Sequence, residues 1–351
     1  MRIAYILPSL AAKAPVFIAK RLSDYFIGKG DLVSVFYFDD KTGIDFMCPM
    51  HRIKMSEPID FDSFDIIHSH MMRPDRYVSC FSHRIRSART VSTVHCDIRD
   101  DLRWSYGTAV SSVYARRWLS WLKSFDATVQ INDFLMDLYA KTLSQNHLIY
   151  NGVSVSPEQD DYTEIVCAAG AFRERGLSVV CSYSGIVRRK GLKQILRLLE
   201  MRHDIAYICI GDGKQKQELE DYACRAGISG RILFSPFKKN PCYVMRHVDV
   251  FMIPSHSEGF PLALLEAGSI GASAVCSDIP AFSPFSEREV SKFRLGDICS
   301  MSRAVDEALR MKAEKSAALK NRIAERFSEE KMFAEYERLY RVLMAQRQTA
   351  T

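Results

Sequence analysis

No apolar run in the 351 residues approaches the roughly 20 needed for a helix to cross a bilayer. The opening MRIAYILPSL is too short and too weakly basic for a secretory leader, and reads better as a first buried strand. No two of the ten cysteines share a CxxC spacing, which argues against a zinc site. Several sit in apolar runs such as Tyr207 to Ile210, so they read as buried thiols of a reducing compartment and not as a disulfide framework. The acidic pairs Asp39-Asp40 and Asp160-Asp161 do not stand in a convincing metal-binding loop. The net charge of +6 is too small to argue for a nucleic-acid partner, but it suits an anionic ligand or an anionic membrane surface. Repeats and low-complexity segments are absent. These absences leave a cytoplasmic protein, at most peripheral at the inner face of a membrane.

What is present is an alternation of strands and helices. Arg2 to Leu7 is strand-like, Pro15 to Gly28 helical, and Leu32 to Phe38 a second strand. Further strands are expected at Phe64 to His70, Thr90 to His95 and Ala127 to Ile131, and His147 to Val153 closes the first half. Asn151-Gly152 is a turn signal, and the polar stretch 154–162 reads as a linker. The alternation then restarts. Strands are expected at Val179 to Ser184, Ala206 to Gly211, Arg231 to Phe234 and Asp249 to Pro254, and helices at Leu192 to Glu200 and Lys214 to Ala226. Such a pattern predicts two parallel sheets covered by helices, with ligands bound beyond the carboxyl ends of the strands. A last helix, Ser328 to Met344, carries the stripe Met332, Phe333, Tyr336, Leu339, Tyr340 and Leu343.

The stretch that organises the chain is Ser255 to Ala267, SHSEGFPLALLEA. Pro261 stands where the first turn of a helix would begin, a position that tolerates its missing N–H. Glu258 lies in the loop before that helix and Glu266 inside it. Between them are backbone N–H groups that no helical carbonyl can satisfy, and with the helix dipole these form an anion site. A carboxylate on each side of a phosphate site suits a ligand that carries phosphate and hydroxyls together, as a nucleotide sugar does.

Glu258-x7-Glu266, followed by Ala267-Gly268 and the strand Ala274 to Asp278, resembles the family 4 retaining glycosyltransferases of the GT-B fold. The resemblance implies an α/β protein of two doubly wound, Rossmann-like domains facing a cleft. Residues 1–153 would form the acceptor-side domain and 154–327 the nucleotide-sugar domain, with 328–351 a helix crossing back to the first. Ser184-Gly-Ile-Val-Arg-Arg-Lys-Gly191 occupies the place of the family's GRLxxxKG, whose arginine and lysine hold the donor diphosphate. Lys190 matches the lysine. Gly185 replaces the arginine, and Arg188 is the candidate to supply its charge. Cations at a helix start oppose the macrodipole, a cost that an anionic ligand would reverse. Ile210-Gly-Asp-Gly213 matches the family's GDG, although backbone geometry alone accounts for such glycines.

The resemblance further implies catalytic roles for Glu258, His95 and Lys190. It implies donor binding by Gly185, Arg188, Lys190, Phe237, Gly259, Phe260, Pro261, Leu262 and Glu266. Glu266 would accept from the ribose hydroxyls, and Glu258 would orient the transferred sugar and stabilise charge developing on it. Attack would come from the front face, with the leaving phosphate taking the acceptor's proton; a covalent intermediate on Glu258 is the other route. No cofactor and no metal ion are expected. The stretch Phe234 to Pro241 lies where the family holds the base through main-chain contacts, so the base leaves little side-chain trace; a UDP-sugar is expected ahead of a GDP-sugar. The acceptor would be a polysaccharide, lipid-linked or envelope glycan. The loop Pro8 to Pro15 lacks the family's paired glycines.

His68 and His70 share one face of a strand and His95 ends another. A lone strand-end histidine is more often structural, but His95-Cys-Asp97 matches the place of a family histidine that contacts the donor sugar. All three tryptophans fall between Trp104 and Trp121, interleaved with Arg103, Arg116, Arg117 and Lys123. That mixture suits a lipid headgroup interface. The spacing of Trp118 and Leu122 favours instead a helix that buries its tryptophans in the first domain's core. Two other functions fit the same chain: a transferase-like partner without catalysis, and a GT-B nucleotide-sugar epimerase. Loss of either glutamate would have pointed to the first, and the second does not need the paired-glutamate loop.

Overall fold

The structure, a computed structural model, describes residues 1–154, 161–238 and 242–348. Most of the expected linker over 154–162, Asp160, and the last three residues of the stretch Phe234 to Pro241 lie outside the described residues. The chain forms two compact units, Met1–Asn151 with Glu330–Thr351, and Gly152–Glu329.

The first unit is built on seven strands: β1 (Arg2–Ser9), β2 (Leu32–Asp39), β3 (Met50–Arg52), β4 (Ile66–His70), β5 (Arg89–Val94), β6 (Ala127–Gln130) and β7 (Asn146–Leu148). Their order is β3-β2-β1-β4-β5-β6-β7, with every pairing parallel. Ile3 to Leu7 are wholly buried, which is why β1 reads as an unbroken apolar run: helices cover both faces of such a sheet. Those helices are α1 (Ala14–Gly28), α2 (Met72–Cys80), α3 (Ile98–Tyr106), α4 (Thr108–Leu122) and α5 (Asp133–Tyr139). Winding reverses between β1 and β4, so His70 at the end of β4 and His95 just beyond β5 lie at the carboxyl edge next to the switch point. The turn out of β4 has no slack. Met71 alone separates it from α2 and adopts φ 80°, the one left-handed non-glycine residue described.

The second unit repeats the plan with six strands: β8 (Ser178–Tyr183), β9 (Ile205–Ile210), β10 (Ile232–Ser235), β11 (Val250–Ile253), β12 (Ala274–Ser277) and β13 (Ser291–Phe293). They run parallel in the order β10-β9-β8-β11-β12-β13, so winding reverses between β8 and β11. Around them are α6 (Thr163–Glu174), α7 (Lys193–Met201), α8 (Lys216–Arg225), α9 (Cys242–Met245), α10 (Leu262–Ser269), α11 (Ile298–Arg310) and α12 (Lys312–Arg326). Ile195, Leu196, Leu198 and Leu199 of α7 bury a wide apolar stripe against β9 and α11. Gly268 lets α10 press on α12, because a Cβ there would stand 2.4 Å from Ile323 Cδ1 and 2.6 Å from Leu319 Cγ.

The last helix, α13 (Glu329–Gln348), packs in the first unit through the expected stripe. Met332, Tyr336, Leu339, Tyr340 and Leu343 are buried, and Phe333 stacks on Tyr25 at 4.6 Å. Two of its tyrosines reach into the sheet: Tyr340 hydroxyl lies 2.6 Å from His68 Nδ1, and Tyr336 hydroxyl 2.8 Å from Thr93 Oγ1.

Several expectations change. Pro261 is the N-cap residue, with α10 beginning at Leu262, because φ −82° with ψ 86° does not continue a helix. The cysteines are not uniformly buried. The nine described are free; Cys181, Cys209 and Cys276 on strands are buried, whereas Cys80, Cys167, Cys224 and Cys299 on helices are exposed. A central strand is covered on both faces, and a surface helix only on one. The tryptophans also divide. Trp118 is buried and donates through Nε1 to Asp75 at 2.7 Å. Burial pushes the Asp75 carboxyl up to about 6, against bonds from Ser69, Trp118 and Ser92. Trp121 is half-buried, and Trp104 is exposed with Tyr106, Val110, Val113 and Tyr114. Among the described residues, no helix is long and apolar enough to cross a membrane.

Candidate active site

The loops after β8 and β11 leave neighbouring parallel strands at the switch point of the second sheet, so they are side by side at its carboxyl edge. The first carries Gly185 to Gly191, with a single helical turn at Arg188–Lys190; the second carries Ser255 to Pro261. The backbone ties them together. His256 N–H donates to Arg189 carbonyl at 2.8 Å. Gly191 takes φ 64°, and a Cβ there would stand 2.1 Å from Pro254 carbonyl oxygen, so only glycine lets the loops approach this closely. Buried Gln194 locks the junction, donating to Pro254 carbonyl at 2.9 Å and accepting from Gly296 N–H at 2.9 Å.

At the centre, Lys190 Nζ donates to Glu258 Oε1 at 2.7 Å, with side-chain exposures of 21% and 9%. Ser255 Oγ donates to the same Oε1 at 2.6 Å, and Ser255 carbonyl is in turn held by Ser277 Oγ at 2.5 Å. Burial pushes the Glu258 carboxyl up. The charges of Lys190 and Arg189, with the bonds from Lys190 and Ser255, outweigh it and hold the group below the usual carboxylate range. Glu258 is therefore an anion at neutral pH. Both bonds fall on Oε1. An ammonium has three donors, so Lys190 keeps two while it holds Glu258.

The structure brings together Lys190, Glu258 and, beside them, Arg189. Arg188 is exposed, and it is Arg189 whose charge bears on Glu258. Gly185 is exposed and open, with Asp212 carbonyl oxygen at 3.9 Å the nearest atom a Cβ would meet. The Gly-Asp-Gly turn packs beneath the same loop: a Cβ on Gly213 would stand 2.3 Å from Ile186 carbonyl oxygen. Phe237 is 46% exposed and leans on Tyr183 with ring centroids 5.6 Å apart. Gly259 and Pro261 are buried, and Leu262 and Glu266 half-buried. The Phe260 ring is committed to packing, with Phe327 at 5.4 Å and Phe285 at 6.3 Å, so only its backbone is available to a ligand.

In the first unit His95 is buried to 9% exposure, its Nε2 2.8 Å from His70 Nδ1. His68 has both ring nitrogens engaged, Nδ1 with Tyr340 and Nε2 with Thr93 at 2.8 Å, which makes it a structural group. Burial drives all three imidazoles down, His95 to about 3, so they are neutral at physiological pH. Asp39 is bound by Arg73 at 2.6 Å. Sequence reasoning named Arg189 and His70 without giving them their partners, and missed Ser255 and Gln194 as site residues. A serine three residues before a glutamate carries no distinctive signal, and the glutamine is recognisable only once both loops are in place.

Residues 172–326 match the family described as Glycosyl transferases group 1. The matched residues lie within the second unit and include both loops of the site. The whole chain has the GT-B fold of glycosyltransferases. This glycosyltransferase is 26% identical over 354 aligned residues to the O-antigen biosynthesis glycosyltransferase WclY of Escherichia coli, spanning 97% of this chain and 98% of that one. Among solved structures, HepE of Anabaena, in complex with UDP and glucose, superposes with a TM-score of 0.82 at 14% identity, covering 97% of this chain and 99% of that one. Sucrose-phosphate synthase from Thermosynechococcus elongatus superposes with a TM-score of 0.80 at 15% identity, covering 99% and 100%. At such identities the likeness is one of fold.

Proposed function

We propose that this glycosyltransferase moves a hexose or hexosamine from a nucleotide sugar to a polysaccharide, lipid-linked or envelope glycan, with retention of anomeric configuration and without a metal ion. The observation that carries the reading is the Lys190–Glu258 pair at the switch point of the second sheet. Lys190, with Arg188 and Arg189 close in the same turn, supplies the positive charge that a departing diphosphate requires. Glu258 Oε2 accepts from a hydroxyl of the transferred sugar, and its negative charge stabilises the developing oxocarbenium. The leaving phosphate takes the acceptor's proton. Glu266 accepts from the ribose hydroxyls, Phe237 belongs to the stretch that holds the base through its main chain, and His95 contacts the sugar. A UDP-sugar is the favoured donor, as in the HepE complex with UDP-glucose, and WclY supports an O-antigen-like acceptor.

The test is incubation of the pure protein with a panel of UDP- and GDP-sugars. Slow release of nucleotide and free sugar is expected from a transferase. An epimerised sugar nucleotide would indicate an epimerase, and no turnover of any donor a non-catalytic partner. Within that assay Glu266→Ala should raise the donor KM while leaving the thermal midpoint in place; unchanged donor affinity would remove the ribose role. Gly185→Arg places a guanidinium at a position where a Cβ would meet no atom closer than Asp212 carbonyl oxygen at 3.9 Å. One charge-assisted contact is worth about 1.5–3 kcal/mol, so donor KM should fall by roughly tenfold. No change in donor affinity would mean that the turn at 188–190 already supplies the charge.

A second reading concerns where the enzyme works. Exposed Trp104, Tyr106, Val113 and Tyr114 are interleaved with exposed Arg103, Arg116 and Arg117 on α3 and α4. We propose that this face rests on the anionic inner surface of the cytoplasmic membrane. Each basic residue at such a surface contributes ~1 kcal/mol within a Debye length, which gives reversible, salt-sensitive binding. Co-sedimentation with anionic vesicles at low salt, lost at high salt and with neutral vesicles, is expected. Full recovery in the supernatant under all conditions would remove the membrane from the account and leave the transferase reading intact.

A further inference from the structure

His70 and His95 come from adjacent parallel strands, β4 and β5, and their rings stack with centroids 5.1 Å apart at 27°. His70 Nδ1 lies 2.8 Å from His95 Nε2. Among the described residues, His70 Nε2 is buried with no hydrogen-bond partner. Its ring is closed in by His68, at 4.2 Å between centroids, and by Tyr5, at 6.0 Å. His68 cannot relieve it, because both its nitrogens are already bonded to Tyr340 and Thr93.

Each neutral imidazole carries one proton, and a hydrogen bond between two of them needs one N–H and one lone pair. Two arrangements are possible. In the first, His95 Nε2–H donates to His70 Nδ1, which forces the His70 proton onto Nε2, where a donor would be buried with nothing to accept it. In the second, His70 Nδ1–H donates to His95 Nε2, and His70 Nε2 holds only an unused lone pair. Orphaned buried N–H groups are rarer in folded proteins than under-satisfied acceptors, so the second arrangement is favoured. The His95 proton then falls on Nδ1.

We infer that His70 is a positioning residue that fixes His95 in the Nδ1–H tautomer, so that His95 offers a ligand one hydrogen-bond donor and no basic lone pair. The identity of that ligand, a hydroxyl oxygen of the transferred sugar, rests on the function proposed above; the tautomer does not. A donor at this place orients a hydroxyl and does not deprotonate it, which leaves the acceptor's proton to the leaving phosphate.

The test reads the tautomer directly. The full chain, ligand-free and 15N-labelled at histidine, is compared with His95→Gln to assign the His95 ring. A pyrrole-type nitrogen at Nδ1 and a pyridine-type nitrogen at Nε2 are expected for His95; the reverse pattern, or averaged shifts from rapid exchange, would overturn the inference. His70→Asn places an amide N–H where Nδ1 stands, and should keep both the tautomer and most of the kcat/KM. His70→Leu removes the donor, and should mix the tautomers and lower kcat/KM several-fold at an unchanged fold by circular dichroism. If His70→Leu folds and keeps the wild-type tautomer, His70 does not set it. If the wild-type spectrum is as expected but His95→Gln leaves donor kinetics unaltered, the sugar contact is lost from the functional reading while the His70–His95 assignment stands.

Discussion

Lys190→Ala should lower kcat/KM by roughly 10- to 150-fold, the range that a charge-assisted contact of about 1.5–3 kcal/mol implies. The same substitution strips Glu258 of the ammonium 2.7 Å away. A buried carboxylate that loses its charged partner costs about 1–3 kcal/mol, so the variant should also be less stable, and in a pH-dependent way. In the wild type, Glu258 is held below the ordinary carboxylate range. Such a group adds stability that is present above its unfolded pKa and is lost only as pH falls through the depressed folded value. Without Lys190, burial prevails and the carboxyl moves up. The stability deficit should therefore be small in acid, where the group is protonated in both proteins, and grow as pH rises toward neutrality. Urea midpoints of both proteins between about pH 4 and pH 8 check this. A deficit that is constant with pH would show that Glu258 does not depend on Lys190. If Arg188→Ala or Arg189→Ala cripples donor turnover while Lys190→Ala does not, the diphosphate ligand is the arginine.

The second large effect is expected at Glu258. Glu258→Gln keeps the shape and the acceptor oxygen for Ser255 but removes the negative charge. If that charge stabilises positive charge developing on the sugar, kcat should fall by roughly 10²–10³ with donor KM little changed, as for other groups aimed at transition-state charge. A rise in KM at constant kcat would instead make Glu258 a ground-state contact. Stability should respond less than in Lys190→Ala, because Lys190 is the more exposed partner and water can solvate it.

The alternation of apolar runs and amphipathic stretches was enough to establish two parallel α/β units, because central strands covered on both faces leave unbroken runs such as Arg2–Ser9 and Ile205–Ile210. Two edge strands escaped notice. β3, exposed at all three positions, and β13, three residues long, bury too little to leave a pattern. The glutamate pair and Lys190 were legible because they are bound to local words, a loop before a helix and a basic turn after a strand. Tertiary structure alone decided what those words do to one another. It placed Lys190 on Glu258 and brought the charge of Arg189 to bear on the carboxylate. It spent the Phe260 ring on packing, and divided one tryptophan-rich stretch into a buried Trp118 and an exposed Trp104. It also set His70 against His95 across two strands. The reason is physical. Periodicity reports which side of an element meets the core, and that is a property of nearest neighbours along the chain. A hydrogen bond between residues 25 or 68 positions apart depends on strand order and on loop approach to within an ångström, and no local pattern encodes either.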